Sequence, residues 1–266
     1  MRVALISLNQ VWQDKATNLA RCEKFIIEAV RNNCQLVIFP EMTLTGYTLD
    51  LEQSSEEIPD SASMRHFSDL ARKNAVSIIF GMTAKCKNGK GQNILCLASP
   101  DKSAVQIYAK LHPFTFSGEE KVVDSGSELG FMEVADFRLG GSICYDLRFP
   151  LMFNLMAPEC HGVVCIANWP ASRVSHWRAL LIARAIENQM YMLGINRIGN
   201  DPNGLNYEKS SMVVSPDGTI LNALIALEEM DIFDIDKKNV ENYRAQFPTL
   251  RDARTNYYFH LLNSKA

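Results

Sequence analysis

No stretch of this chain approaches the ~18–20 unbroken apolar residues that a membrane span requires, so no membrane-crossing helix is expected. Positive charge is not in excess either. Lysine and arginine number 27 against 30 acidic residues, for a formal net charge of -3, and there is no long basic run. A nucleic-acid or anionic-membrane partner therefore has no electrostatic support. The N-terminal Met1-Arg2-Val3-Ala4-Leu5-Ile6-Ser7 is apolar too briefly for a signal peptide and reads as a first strand. A zinc framework is missing as well. Cys160, His161 and Cys165 lie close together, but no second ligand pair with the required spacing follows. That trio is expected to be packing. No linker, low-complexity segment or charge block divides the chain, so residues 1–266 are read as one domain.

The composition that remains, 47% apolar and 21% charged, is that of a globular protein with a sizeable core. The seven cysteines (Cys22, Cys34, Cys86, Cys96, Cys144, Cys160 and Cys165) are odd in number and irregularly spaced. Buried free thiols in a reducing cytoplasm fit that pattern better than a disulfide framework.

Strand and helix signals alternate along the chain. Val3 to Leu8 and Gln35 to Phe39 are short apolar runs, the second stopped by Pro40. Between them, Ala16, Leu19, Ala20, Phe25, Ile26, Ala29 and Val30 recur at helical spacing from Asp14 to Asn33. A second helix is expected from Ser63 to Asn74, then a strand from Val76 and antiparallel strands ending at Lys110. Further strands are expected up to Ile143, over 163–167, 191–195 and 230–235, with helices over 150–159 and 176–190. Met212–Val214 and Thr219–Leu224 flank Pro216-Asp217-Gly218, which predicts a hairpin. Alternating elements with hairpins predict an α/β fold with mixed sheets. The Tyr- and Arg-rich tail from about Phe247 reads either as an arm on a partner subunit or as a surface segment.

Three ionisable residues fall where strands end, the usual place for an α/β active site. Glu41 follows a buried strand in Phe39-Pro40-Glu41-Met42-Thr43. A partly desolvated carboxylate there suits a general base, while a helix cap or loop acid is the plainer alternative. Lys110 lies in the apolar run Tyr108-Ala109-Lys110-Leu111-His112, where an ammonium can hold a developing oxyanion. A snorkelling surface lysine is the alternative. Cys144 ends the strand Leu139 to Ile143 and precedes a polar turn and a helix. That is the arrangement of a nucleophile elbow, in which helix-start amides and a nearby lysine would lower a thiol pKa. A buried core cysteine is the alternative.

In the order Glu, Lys, Cys these motifs resemble those of the nitrilase, or carbon–nitrogen hydrolase, superfamily over nearly the whole chain. Cys144-Tyr145-Asp146-Leu147-Arg148-Phe149-Pro150, Ala167-Asn168-Trp169-Pro170 and Arg184 to Gln189 are most similar to its bacterial omega-amidase branch. The resemblance implies an α-β-β-α sandwich, the triad Glu41, Lys110 and Cys144, and no metal or organic cofactor. It implies a second glutamate, expected at Glu119 with Glu120 one residue away, and an oxyanion donor at the Tyr145 N–H. It further implies release of ammonia from short 2-oxo dicarboxylic monoamides, and a homodimer or higher oligomer. Asn168 and Trp169 are expected to line the pocket. Arg148 and Arg173 are candidates for a substrate carboxylate, because guanidinium binds carboxylate bidentately. Asp146 is available as an ion-pair partner for Arg148.

The bond is better specified than the acyl group. Deaminated glutathione, an N-carbamoyl amine or an aliphatic amide are alternative substrates. A papain-like mechanism would need His112 or His176 beside the cysteine. From another class, the chain could be a non-catalytic scaffold, which should lack the fast-alkylating cysteine expected at Cys144.

Overall fold

A computed structural model describes residues 1–264. Two sheets lie face to face with helices on both outer sides. The larger sheet has eight strands. Its order runs Ile225–Ala226, Met230–Asp234, Arg2–Ile6, Leu36–Ile38, Ser77–Lys85, Gly91–Ser99 and Lys102–Ala109, with Ser55–Glu56 paired beside Ser77–Lys85. Arg2–Ile6, Leu36–Ile38 and Ser77–Lys85 are parallel, and the outer pairs are antiparallel. The smaller sheet has five strands in the order Met212–Val214, Tyr191–Asn196, Gly162–Ala167, Phe137–Ile143 and Gly130–Val134, again with a parallel centre. This is the α-β-β-α sandwich with mixed sheets that the sequence resemblance implied.

Period-two alternation sends side chains to the two faces. Val3, Leu5, Leu36, Ile38 and Ile79 enter the core between the sheets with Ile143, Val164 and Ile166. Ala4, Ile6, Val37, Phe39, Ile78 and Phe80 pack outward on the helices Lys15–Arg31 and Ala62–Asn74 through Cys22, Ile26, Met64 and Phe67. Phe67 stacks on Phe80 with centroids 4.1 Å apart, and burying a ring of this size contributes ~1.5–3 kcal/mol. Asp14 caps the first helix by accepting from Thr17 N, and Ser61 caps the second by accepting from Met64 N.

The helices Pro150–Met156 and Val174–Asn188 cover the smaller sheet. The second packs closely because Gly194 has no side chain: a Cβ there would lie 2.4 Å from Leu181. Arg244, on the helix Lys237–Gln246, donates to the carbonyls of Ala157, Cys160 and Gln189. It satisfies carbonyls that the ends of the covering helices leave open.

Two expectations need correction. Thr219–Leu224 is not the second strand of a hairpin. The Pro216-Asp217-Gly218 turn forms, but beyond it only the bridge Val214–Ile220 pairs. The chain then crosses to the larger sheet, where Ile225–Ala226 pairs with Met230–Asp234. The helix over 150–159 ends at Met156 and finishes as a 3-10 turn through Pro158, since proline has no N–H for the α-helical ladder. The tail forms the helix Thr255–Asn263, with Phe247, Tyr257 and Tyr258 about half exposed. Among the described residues, no helix is long and apolar enough to cross a membrane, and no three metal-type ligands cluster.

Candidate active site

Four strand ends supply the site. Glu41 follows Leu36–Ile38, Lys110 follows Lys102–Ala109, Cys144 follows Phe137–Ile143 and Asn168 follows Gly162–Ala167. The turn bearing Glu41 is held from three sides. Thr43 Oγ1 donates to Pro40 O and accepts from Gly81 N. Gln10 Nε2 reaches the carbonyls of Glu41, Met42 and Thr43. Gly81 makes the room: a Cβ on it would lie 2.7 Å from Met42 N and 2.9 Å from Glu41 Cα.

Lys110 and Glu41 are both buried, at 1% and 0% exposure. Lys110 Nζ donates to Glu41 Oε1 at 3.2 Å and to Glu119 Oε2 at 2.8 Å. The other Glu41 oxygen accepts from the backbone N–H of Asn168 at 2.9 Å. Asn93 Nδ2 bridges the two carboxylates at 2.8 and 3.1 Å. The structure therefore brings Glu119 to the lysine, whereas Glu120 meets Lys90 through its backbone carbonyl. Burial alone would push the Lys110 ammonium down, but Glu41 and Glu119 outweigh it and the group stands well above its ordinary value. Burial likewise opposes ionisation of Glu119. The Lys110 charge and the N–H donors reverse that, so its pKa is lowered.

Cys144 has φ +48° and opens the 3-10 turn Cys144–Arg148. The left-handed backbone turns the chain sharply at the strand end, at a cost of ~1–2 kcal/mol for a residue other than glycine. Sγ lies 4.0 Å from the carbonyl of Asn168. The expected fall in thiol pKa is overturned. Burial pushes Cys144 well above the ordinary thiol range, Glu41 pushes it further, and Lys110 only partly opposes them.

A cavity of about 230 Å³ opens onto Cys144. Tyr47, Phe114, Tyr145, Trp169, Pro170 and Tyr207 form most of its wall, with Phe116 and Leu205 also lining it. Lys110, Asn168, Arg148 and Arg173 reach it too. The Arg148 guanidinium lies 4.7 Å over Trp169, and that of Arg173 lies 5.9 Å over Phe114. Neither joins an ion pair among the described residues, while neighbouring Arg178 and Arg184 pair with Glu208 and Glu187. Asp146 does not pair with Arg148. It accepts from His112, Tyr108 and Ile143. His176 sits beside Arg148, with Nδ1 3.5 Å from Nη1. The Cys144 hydrogen bond involves neither histidine, so the papain-like arrangement has no support in the geometry.

Tyr108, Asp146, Asn93 and Tyr207 were not legible as site residues in the sequence. Asn168 was expected only in the pocket wall. It also fixes Glu41 through its backbone, a role that no side-chain pattern reveals.

A buried ammonium between two carboxylates stands beside a thiol in a mostly apolar cavity, on an α-β-β-α scaffold. A carbon-nitrogen hydrolase family model matches residues 2–245, and the chain belongs to that family. It is 31% identical over 243 residues to a 2-oxoglutaramate amidase of Bacillus subtilis, covering 91% of this chain and 93% of the relative. It is 30% identical to the omega-amidase YafV of Escherichia coli K12, covering 95% and 96%. The solved structure of XC1258 from Xanthomonas campestris superposes with a TM-score of 0.88 at 27% identity, covering 96% and 97%. That protein is a CN-hydrolase superfamily member with an arsenic adduct in its active site.

With its pKa raised, resting Cys144 holds its proton at neutral pH, and fast neutral alkylation no longer follows from the geometry. Iodoacetamide labelling of Cys144, followed by peptide mass spectrometry, should still be rising with pH beyond the free-thiol value of about 8.5. A rate plateau near neutrality would show a resting thiolate instead.

Proposed function

We propose that this carbon–nitrogen hydrolase releases ammonia from the terminal amide of a short 2-oxo dicarboxylic monoamide, such as 2-oxoglutaramate or 2-oxosuccinamate, through a Cys144 thioester. What carries this reading is Lys110 Nζ, held 3.2 Å from Glu41 and 2.8 Å from Glu119, where the cavity reaches Cys144. The names of the two amidase relatives support the same substrate class.

The raised thiol pKa sets the first step, because a thiol adds poorly to an amide until its proton is removed. Glu41 takes that proton as sulfur attacks the amide carbon. The oxyanion is held by Lys110 and by the N–H of Tyr145, which lies in the first turn of a 3-10 segment where amides lack partners within the turn. Glu41 passes its proton to the nitrogen, the C–N bond breaks, and ammonia leaves a thioester. Water then gives a proton to Glu41, with Glu119 orienting it through Lys110, and attacks the thioester. The acid departs and the thiol is restored. Arg173 holds the far carboxylate of the substrate, with Arg148 as the second cation. A desolvated carboxylate without such a partner would cost several kcal/mol.

A homodimer or larger assembly is part of this reading. Its support is the exposed aromatic arm from Phe247 to Tyr258.

Cys144→Ala should fold with an unchanged melting profile and lose all ammonia release; retained turnover would end the thioester mechanism. Removing a buried partner of a charged ligand group costs roughly 2–5 kcal/mol. Arg173→Ala should therefore depress kcat/KM on 2-oxoglutaramate far more than on an uncharged amide of similar length. Equal losses on both would make Arg173 structural. Light scattering at micromolar protein should give at least twice the monomer mass of 29.9 kDa, and a monomeric mass would refute the assembly.

A further inference from the structure

We propose that Asp146, acting with Tyr108 and His112, is a positioning residue that sets Cys144 against Lys110. The proposal rests on Cys144 being the nucleophile.

Asp146 is fully buried, and its four hydrogen bonds come from groups on both sides of Lys110 and from the residue before Cys144. Oδ1 accepts from His112 N at 3.0 Å and from His112 Nδ1 at 2.8 Å. Oδ2 accepts from the Tyr108 hydroxyl at 2.8 Å and from Ile143 N at 3.0 Å. The same hydroxyl accepts from Leu111 N at 2.9 Å. Tyr108, Leu111 and His112 bracket Lys110, and Ile143 immediately precedes Cys144. One carboxylate thus ties the segment carrying the ammonium to the elbow carrying the sulfur.

Those two segments belong to different sheets. Tyr108 lies in the larger sheet, and Asp146 follows the last strand residue of its neighbour in the smaller one. Between them the packing is apolar, with Leu95 and Tyr108 facing Gly141. Apolar contact is non-directional and leaves a small slide between sheets inexpensive, whereas buried hydrogen bonds have fixed lengths and angles. The backbone at Cys144, with φ +48°, also needs surroundings that hold it there. Asp146 supplies one such hold through Ile143 N.

His112 enters this network as a donor and not as a base. Its ring stacks on Phe149 at 3.7 Å, and Nδ1 lies 2.8 Å from the Asp146 oxygen that also accepts from the His112 backbone N–H, the arrangement in which Nδ1 carries the hydrogen.

Tyr108→Phe, His112→Ala and His112→Asn in the full chain test the proposal. Displacing reacting groups by about 1 Å costs ~10²-fold, so Tyr108→Phe and His112→Ala should lower kcat by roughly 10- to 100-fold, with KM within about threefold of wild type. Iodoacetamide labelling of Cys144, read by mass spectrometry without turnover, should change in rate in both. His112→Asn should recover most of the lost kcat, because its carboxamide N–H can replace Nδ1–H. Unchanged kcat, a change confined to KM, or equal losses in His112→Ala and His112→Asn would overturn the proposal. Should His112→Ala not fold, Tyr108→Phe, which removes one oxygen and keeps the ring, decides between these outcomes. Failure of the nucleophile reading is separate: it would appear as turnover in Cys144→Ala, whatever these three variants do.

Discussion

Lys110 places an ammonium at 1% exposure between two carboxylates that are themselves fully buried. Each ion taken from water into such a place costs several kcal/mol unless it is paired and its remaining hydrogen-bonding sites are filled. Here they are filled by two groups from distant parts of the chain, Asn93 Nδ2 and the backbone N–H of Asn168, and by one close in sequence, the backbone N–H of Phe114. Removing one partner leaves an uncompensated charge. The loops that carry these donors are therefore held as tightly as the ions. Burial first, and then Glu41 against the partial opposition of Lys110, holds the Cys144 thiol well above its ordinary range.

The scaffold meets this demand by bringing strand ends together. The central strands of each sheet are parallel, so the C-terminal ends of Arg2–Ile6 and Leu36–Ile38 lie side by side, as do those of Phe137–Ile143 and Gly162–Ala167. Face-to-face packing then sets the two groups of loops opposite each other. Small residues allow the approach. Gly81 admits the backbone of Glu41 and Met42, and Gly141 admits Tyr108. A methyl group on Gly81 would collide with that backbone, and one on Gly141 would press on Tyr108 at 3.3 Å.

The cavity above the cluster is walled mostly by aromatic side chains, a surrounding of low polarity in which a charge interaction is stronger than in water. Arg148 and Arg173 keep their guanidinium groups over aromatic faces, an arrangement that stabilises a cation with no carboxylate beside it. Among the described residues neither guanidinium faces a carboxylate, and Arg148 meets only His176 Nδ1 at 3.5 Å.

The succession of strands and helices along the chain, the positions of Glu41, Lys110 and Cys144 at strand ends, and the helices over 15–31 and 62–74 were legible because each depends on a local signal: an apolar run, a helical period or a proline stop. Those signals act within about ten residues, and the three motifs stand in one order along the chain. The direction of the Cys144 pKa was not legible. Local reasoning saw helix-start amides and a lysine, but the burial and the Glu41 charge that prevail come from residues about a hundred positions away. Asn93, the backbone role of Asn168 and the Asp146 network were hidden for the same reason. The segment 219–224 shows the limit most plainly. Its turn is local and forms as written, but its pairing depends on which sheet lies within reach. The sequence by itself determined most of the elements and the candidate site residues Glu41, Lys110 and Cys144 at strand ends, since both are short-range properties. Tertiary structure decided which charges neighbour one another and which thiol holds its proton, since electrostatic interaction in a buried site depends on distance in space and not on separation along the chain.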